Sequence, residues 1–326
     1  MVNDRLTAVN FIAPVQDLIP KVEERMHTQA DRHHPDLKLA LDHLLSAGGK
    51  RIRPAIALLT GKMLGADPDK LVTLSAAIEL LHTATLVHDD LIDGALLRRG
   101  IATLNSQWSP AATVLTGDFV FARAAKLAAE TESLSLMHLF AETLATIVNG
   151  EITQLFSSRG LASREDYYNR IYAKTASLFE LATKAAAMLS PVDEQVVEKA
   201  RAFGYNIGIA FQIVDDVLDF TGEQTTIGKP VASDLRQGLV TLPALYFLED
   251  YPNFPDMQAV LSGRQFNDGV IDRLLDSIRE SGAIQRAMDE AHRYVDGAMV
   301  SLVDLPDCPE HESLIDLANY IVHRNL

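Results

Sequence analysis

Six aspartates fall into two clusters of the same spacing. Asp89, Asp90 and Asp93 lie in His88-Asp89-Asp90-Leu91-Ile92-Asp93, and Asp215, Asp216 and Asp219 interrupt the apolar run Phe211-Gln212-Ile213-Val214-Asp215-Asp216-Val217-Leu218-Asp219. On a helix the first and last carboxylates of each cluster project from one face, one turn apart. Like charges at that spacing disfavour the empty helix, and unpaired carboxylates in an apolar run are costly to bury, so both clusters require a cation. Hard oxygen donors suit Mg²⁺, which takes one or two carboxylates and fills its shell with phosphate oxygens and water. One cluster alone fits a solvated helix end equally well; its repetition does not. Facing each other across a helical bundle, the two would hold several Mg²⁺ ions around one diphosphate. A di-iron carboxylate site would need Glu-x-x-His pairs, which do not accompany them.

Cations occur in separate sets. Lys50 and Arg53 are three apart in Gly48-Gly49-Lys50-Arg51-Ile52-Arg53-Pro54, a Gly-rich helix start whose backbone N–H groups also favour anions. Arg98 and Arg99 follow the first cluster, and Lys174-Thr175 and Lys229-Pro230 add two more sets. Each alone reads as a solvated charge; their joint occurrence with the carboxylates is what points to a ligand. Two unit charges about 4 Å apart interact by about 4 kcal/mol at an effective dielectric of 20, so two diphosphates side by side need several compensating cations. His82, two turns before Asp89, fits a packed or surface histidine as well as a ligand contact. No Ser-His-Asp or Cys-His arrangement supplies a protein nucleophile.

The elements that must position these groups are helices. With 48% hydrophobic and 6% aromatic residues and many Ala and Leu, the chain leans to helix, and apolar positions recur at three- and four-residue steps without convincing alternating strands. Leu71, Leu74, Ile78 and Leu81 form one stripe of a helix from Pro68 to about Asp93. Asp67-Pro68, Ser109-Pro110 and Ser190-Pro191 mark helix starts. Further helices are predicted near 4–29, 36–46, 52–65, 110–130, 133–157, 163–189, 191–220, 267–281, 283–302 and 311–323. Gly94–Thr103 and Thr221–Thr241, the latter with Gly222, Gly228, Pro230 and Gly238, read as loops. The absence of repeats and of Gly/Ser/Pro linkers favours a single domain spanning 1–326, an all-α helical bundle with a central cavity.

A net charge of −15 argues against a nucleic-acid surface. The single cysteine, Cys308, forms no internal disulfide, and the chain shows neither a secretory-type start nor an apolar run of the ~20 residues needed to span a bilayer. A cytoplasmic protein is expected, with peripheral membrane contact for product release left open.

The motifs GGKRIRP, HDDLID followed by LLRRG, AKT, FQIVDDVLD and GKPVASDLRQGLVTLP resemble, in order, those of the trans-isoprenyl (polyprenyl) diphosphate synthase family. The resemblance spans Gly48 to Pro243. It implies an all-α homodimer in which Mg²⁺, about three ions per active site, is held by Asp89, Asp93 and Asp215. Asp90, Asp216 and Asp219 then act as ligands or through water. Arg98, Lys174, Thr175, Gln212 and Lys229 would hold the allylic diphosphate, and Lys50, Arg53, His82 and Arg99 isopentenyl diphosphate. The allylic C–O bond ionises, the isopentenyl double bond attacks the cation, and a proton leaves. The chain departs from many relatives at Gly238-Leu239, where they carry Lys; Arg236 is a candidate replacement or a partner of Asp234. Tyr320 and Arg324 are candidates to close over the isopentenyl site, but a frayed terminus is the expectation.

Product length follows from the residues beneath Asp89. Ala84 and Thr85 are small where short-chain relatives carry an aromatic, with Leu81, Ile78 and Ala77 as deeper walls, which suggests roughly six to ten isoprene units. Glu151 and Gln154 resemble the longer-chain branch or are structural. Alternatives are a farnesyl or geranylgeranyl diphosphate synthase and a noncatalytic partner subunit, which commonly lacks one Asp cluster. A class I terpene cyclase would not need Lys50, Arg53 and Arg99.

Overall fold

The computed structural model describes residues 11–46, 48–98, 100–156, 163–221, 231–262 and 268–324. Arg99 and Lys229 lie outside the described residues, as do Gly222, Gly228 and Pro230. The described chain is almost wholly helical, as the composition predicts; its strands are β1 (Leu97–Arg98) and β2 (Ile101–Ala102), paired antiparallel. It divides into two compact units, neither continuous in sequence: Met1–Thr143 with Leu178–Arg201 and Leu302–Asp316, and Leu144–Ser177 with Ala202–Ser301 and Leu317–Leu326.

The first unit contains α1 (Ile19–His27), α2 (Pro35–Ser46), α3 (Ile52–Met63), α4 (Pro68–Ile92), α5 (Leu104–Gln107) and α6 (Pro110–Glu130). The N-terminal helix predicted near 4–29 resolves, over its described part, into a 3₁₀ turn at Ala13–Val15 and α1. Pro14 and Pro20 each sit in a first turn, where a missing N–H costs nothing, and each would break a longer helix. The start of α4 is as expected, with Asp67 accepting hydrogen bonds from the Asp69 and Lys70 amides. Ser109 caps α6 in the same way through the Ala112 amide.

Burial of α4 goes beyond the predicted stripe. Leu71, Leu74, Ile78 and Leu81 are buried, but so are Val72, Ala76, Ala77 and Leu80 on its other faces, so α4 is an all-round core helix packed on α1, α3 and α6. Contrary to the sequence reading, α4 is long and apolar enough to cross a membrane, but 72% of its most apolar window is buried within the protein. Its close approach to α6 depends on Gly117, where an added Cβ would stand 2.2 Å from His88 Nε2.

The chain continues through α7 (Leu134–Phe156), α8 (Arg164–Ile171), a π-helical turn at Tyr172–Ala176, α9 (Ser177–Met188) and α10 (Glu194–Thr221). The helix predicted to start at Ser190-Pro191 begins instead at Glu194. Asp193 Oδ1 takes the Val196 amide at 3.0 Å, while the Ser190 hydroxyl turns back to the Ala186 carbonyl. Then follow α11 (Ser233–Arg236), α12 (Leu242–Asp250), α13 (Pro255–Leu261), α14 (Asp268–Glu280), α15 (Ala283–Leu302) and α16 (Pro309–His323). Neither α12 nor α13 was expected. Residues Leu242 to Phe247 are all buried, so α12 has no polar face to mark a period, and α13 is only two turns long.

Candidate active site

Both aspartate clusters lie in the last turns of their helices. Asp89 and Asp90 occupy the last turn of α4 with Asp93 as its C-cap, and Asp215 to Asp219 close α10, which ends at Thr221. Neither last turn contains a basic residue. A helix C-terminus carries partial negative charge, so carboxylates stacked there attract cations, and the chain itself supplies two of them, Arg98 on Asp90 and Arg324 on Asp215.

Within each cluster the carboxylates have separate tasks. Asp93 is exposed and Asp89 partly so, whereas Asp90 is buried and its Oδ1 accepts from both Arg98 Nε, at 2.8 Å, and Arg98 Nη2, at 2.7 Å. This charge-assisted pair ties the β1 strand to α4, and the Gly94 turn that lets the chain double back has φ +63°. In the second unit Asp216 is buried and bridges Tyr167 Oη, at 2.8 Å from Oδ2, and Gln212 Nε2, at 2.8 Å from Oδ1. Burial, reinforced by the nearby Asp234, pushes its carboxyl up to about 8. Burial and the same carboxylate push the Tyr167 phenol well above its usual range.

Asp219 does a third job. Its Oδ1 and Oδ2 accept from the Ser233 and Asp234 amides at 3.1 and 3.2 Å, so it caps α11, and its carbonyl accepts from the Ala232 amide. Asp215 remains accessible, its side chain 42% exposed, and pairs with Arg324, whose Nη2 stands 2.6 Å from Oδ1. Arg324 is therefore not at a frayed end. Its side chain is only 11% exposed, bonds the Phe211 carbonyl and stacks 3.8 Å over the Phe211 ring. Desolvation on an aromatic face overrides the ordinary mobility of a terminus.

Lys174 and Thr175 sit on the π-helical turn, a form found mostly as single turns at functional sites. Thr175 Oγ1 donates to Gln212 Oε1 at 2.6 Å, which links Thr175, Gln212, Asp216 and Tyr167 in one chain of hydrogen bonds. Lys174 Nζ pairs with Glu151 Oε1 at 3.1 Å. Gly150 makes that approach possible, since a Cβ there would meet Ala173 Cβ at 2.4 Å. Arg236 is held by Asp268 and, at 3.1 Å, by Asp272, rather than by the Asp234 partner the sequence suggested.

In the first unit Lys50 lies exposed before α3, and Arg53 occupies its first turn. That turn contains no acidic residue, so the positive end of the helix and these cations reinforce one another. His82 lines a pocket with Gly48, Arg51, Glu79, Asp90 and Arg98. Arg51 was not singled out from the sequence, yet it is the N-cap of α3 at φ +49°, a left-handed conformation that costs a non-glycine residue about 1–2 kcal/mol. Leu81 and Ala84 are fully buried on α4, and Thr85 is partly buried with its hydroxyl donated to the His82 carbonyl.

The donor chemistry fits magnesium. The accessible groups Asp89, Asp93 and Asp215 offer oxygen alone, and among the described residues no three carboxylates, histidines or cysteines converge into a closed metal cage. A cation bound by few carboxylates, with phosphate and water completing its shell, asks for that kind of open arrangement.

The all-helical chain has the isoprenoid synthase fold. Residues 34–278 match the polyprenyl synthetase family model. The chain is 37% identical to heptaprenyl diphosphate synthase component 2 of Geobacillus stearothermophilus, over 95% of this chain and 97% of that one. It is 35% identical to octaprenyl diphosphate synthase of Escherichia coli strain K12, over 87% and 88%. The polyprenyl synthase of Caulobacter crescentus CB15, solved with calcium and isoprenyl diphosphate, superposes with a TM-score of 0.90 at 35% identity, covering 97% of each chain. The chain belongs to the polyprenyl synthetase family.

Proposed function

We propose that this chain is a Mg²⁺-dependent trans-polyprenyl diphosphate synthase that condenses isopentenyl diphosphate with an allylic diphosphate to give a medium- or long-chain product. The observation that carries the reading is the placement of both carboxylate clusters at helix C-termini without a basic residue in either last turn. Calcium and isoprenyl diphosphate in the Caulobacter structure support a divalent cation and a diphosphate as ligands.

In this reading Asp89, Asp93 and Asp215 hold the metal, while Asp90 and Asp216, buried and hydrogen-bonded, fix Arg98 and Gln212. A Mg²⁺ ion held by these carboxylates would supply the positive charge that stabilises the leaving diphosphate. Arg98, Lys174, Thr175, Gln212 and Lys229 bind and orient the allylic diphosphate. Lys50, Arg53, His82 and Arg99 hold isopentenyl diphosphate with its double bond toward the cation. The new C–C bond forms, and the departing diphosphate takes the proton whose loss restores the double bond.

Relatives named for heptaprenyl and octaprenyl products support the longer chain length, as do the small Ala84 and Thr85 beneath Asp89. A homodimer is proposed on the exposed apolar positions of α7. Val148, Ile152 and Leu155 recur at four- and three-residue steps and are 44, 48 and 59% exposed, a stripe suited to a second copy. The test replaces Asp89 or Asp215 by Ala and follows labelled isopentenyl incorporation. Loss of at least about a thousandfold with unchanged helicity is expected. Undiminished turnover in either variant refutes the metal role.

A further inference from the structure

One carboxylate of α4 faces the cation-lined pocket and belongs to neither aspartate cluster. Glu79 is buried on α4, whose buried positions are mostly apolar, one turn before His82. An unneutralised carboxylate beside a diphosphate subsite would repel its ligand. Here the charge is taken up: Glu79 Oε1 lies 3.0 Å from Arg51 Nη1, with side-chain exposures of 9 and 12%. Arg51 Nε also reaches Glu23 Oε1 of α1, at 3.2 Å, and Nη2 donates to the Leu45 carbonyl of α2, at 3.3 Å.

Arg51 stands between Lys50 and Arg53, and its backbone is left-handed at φ +49°. A non-glycine residue stays in that sparsely populated conformation only where its surroundings hold it. The deepest of its side-chain anchors is Glu79. The direction in which the chain leaves residue 51 decides where the flanking residues 50 and 53 project, so the Glu79–Arg51 pair acts on the two cations on either side of it.

We infer that Glu79 is a positioning residue for the isopentenyl diphosphate subsite: through Arg51 it fixes the backbone from which Lys50 and Arg53 meet the diphosphate. This rests on the function proposed above. Glu79 touches no substrate in this account, so its removal weakens binding of one substrate without altering the chemical step.

The test is steady-state kinetics with farnesyl and isopentenyl diphosphates varied separately, on wild type, Glu79→Gln, Glu79→Asp, Arg51→Lys and the double variant Glu79→Gln/Arg51→Lys. Glu79→Gln is expected to raise KM for isopentenyl diphosphate about tenfold, with kcat and the farnesyl diphosphate KM within about twofold. Glu79→Asp, which keeps the charge, recovers part of the loss. The double variant is no worse than the worse single one, because both cut the same link. An unchanged isopentenyl KM, an effect confined to kcat, or additive losses in the double variant overturns the inference. Should Glu79→Gln fail to fold, the same KM split is read from Glu79→Asp and Arg51→Lys. A wild-type chain that incorporates no isopentenyl diphosphate sinks the functional reading itself; an active wild type with a flat KM in the variants sinks only the role of Glu79.

Discussion

Arg324 Nη2 stands 2.6 Å from Asp215 Oδ1, so the last residue described in the chain is seated on a part-exposed carboxylate of the second cluster. The guanidinium is nearly buried, bonds the Phe211 carbonyl and stacks on the Phe211 ring. Charge-assisted bonds of this kind contribute about 1.5–3 kcal/mol each when the partner is left unsatisfied. Arg324→Gln should therefore lower stability by about 2 kcal/mol in urea unfolding at unchanged m-value. A variant as stable as wild type would mean that the terminus contributes nothing to α10.

The contact between His88 and Gly117 leaves no room for a methyl group. A Cβ at residue 117 would lie 2.2 Å from His88 Nε2 and 2.6 Å from Cδ2, and the ring is already held near the Val114 carbonyl and against Phe121. Gly117→Ala is expected to cost about 1–3 kcal/mol and to reduce kcat, because the neighbouring Asp89 moves with His88. Adding His88→Ala removes the clash and should restore part of the stability, measured by thermal unfolding. If the double variant is less stable than Gly117→Ala, the clash is not the cause.

Ala84 is fully buried on α4, a turn and a half before Asp89. A phenylalanine there fills space that a growing apolar tail would use, so Ala84→Phe should shorten the product by one or more isoprene units. The products are sized by thin-layer chromatography after dephosphorylation. An unchanged distribution in an active, folded variant places the floor on another helix.

What the sequence made legible was local. Caps such as Asp67 and Ser109 are set by residues within a turn of each other, and the structure places them as expected. The rest depended on partners far away in the chain. Arg51 meets Glu79 across 28 positions, and Tyr167 meets Asp216 across 49, distances at which periodicity says nothing. The π-helical turn under Lys174 is invisible in an ordinary helical pattern, and α12 lacks the polar face that would have marked it. Arg324 reads as a frayed end in the sequence because its aromatic partner, Phe211, lies 113 positions away and is brought to it only by the fold.

The most direct measurement of the central claim is product length. The purified chain is incubated with farnesyl diphosphate, labelled isopentenyl diphosphate and Mg²⁺, with a parallel reaction in chelator, and the labelled products are sized. The account predicts Mg²⁺-dependent incorporation into a trans-polyprenyl diphosphate of roughly six to ten isoprene units. Well-folded protein that incorporates no label with farnesyl or any other allylic primer would contradict it.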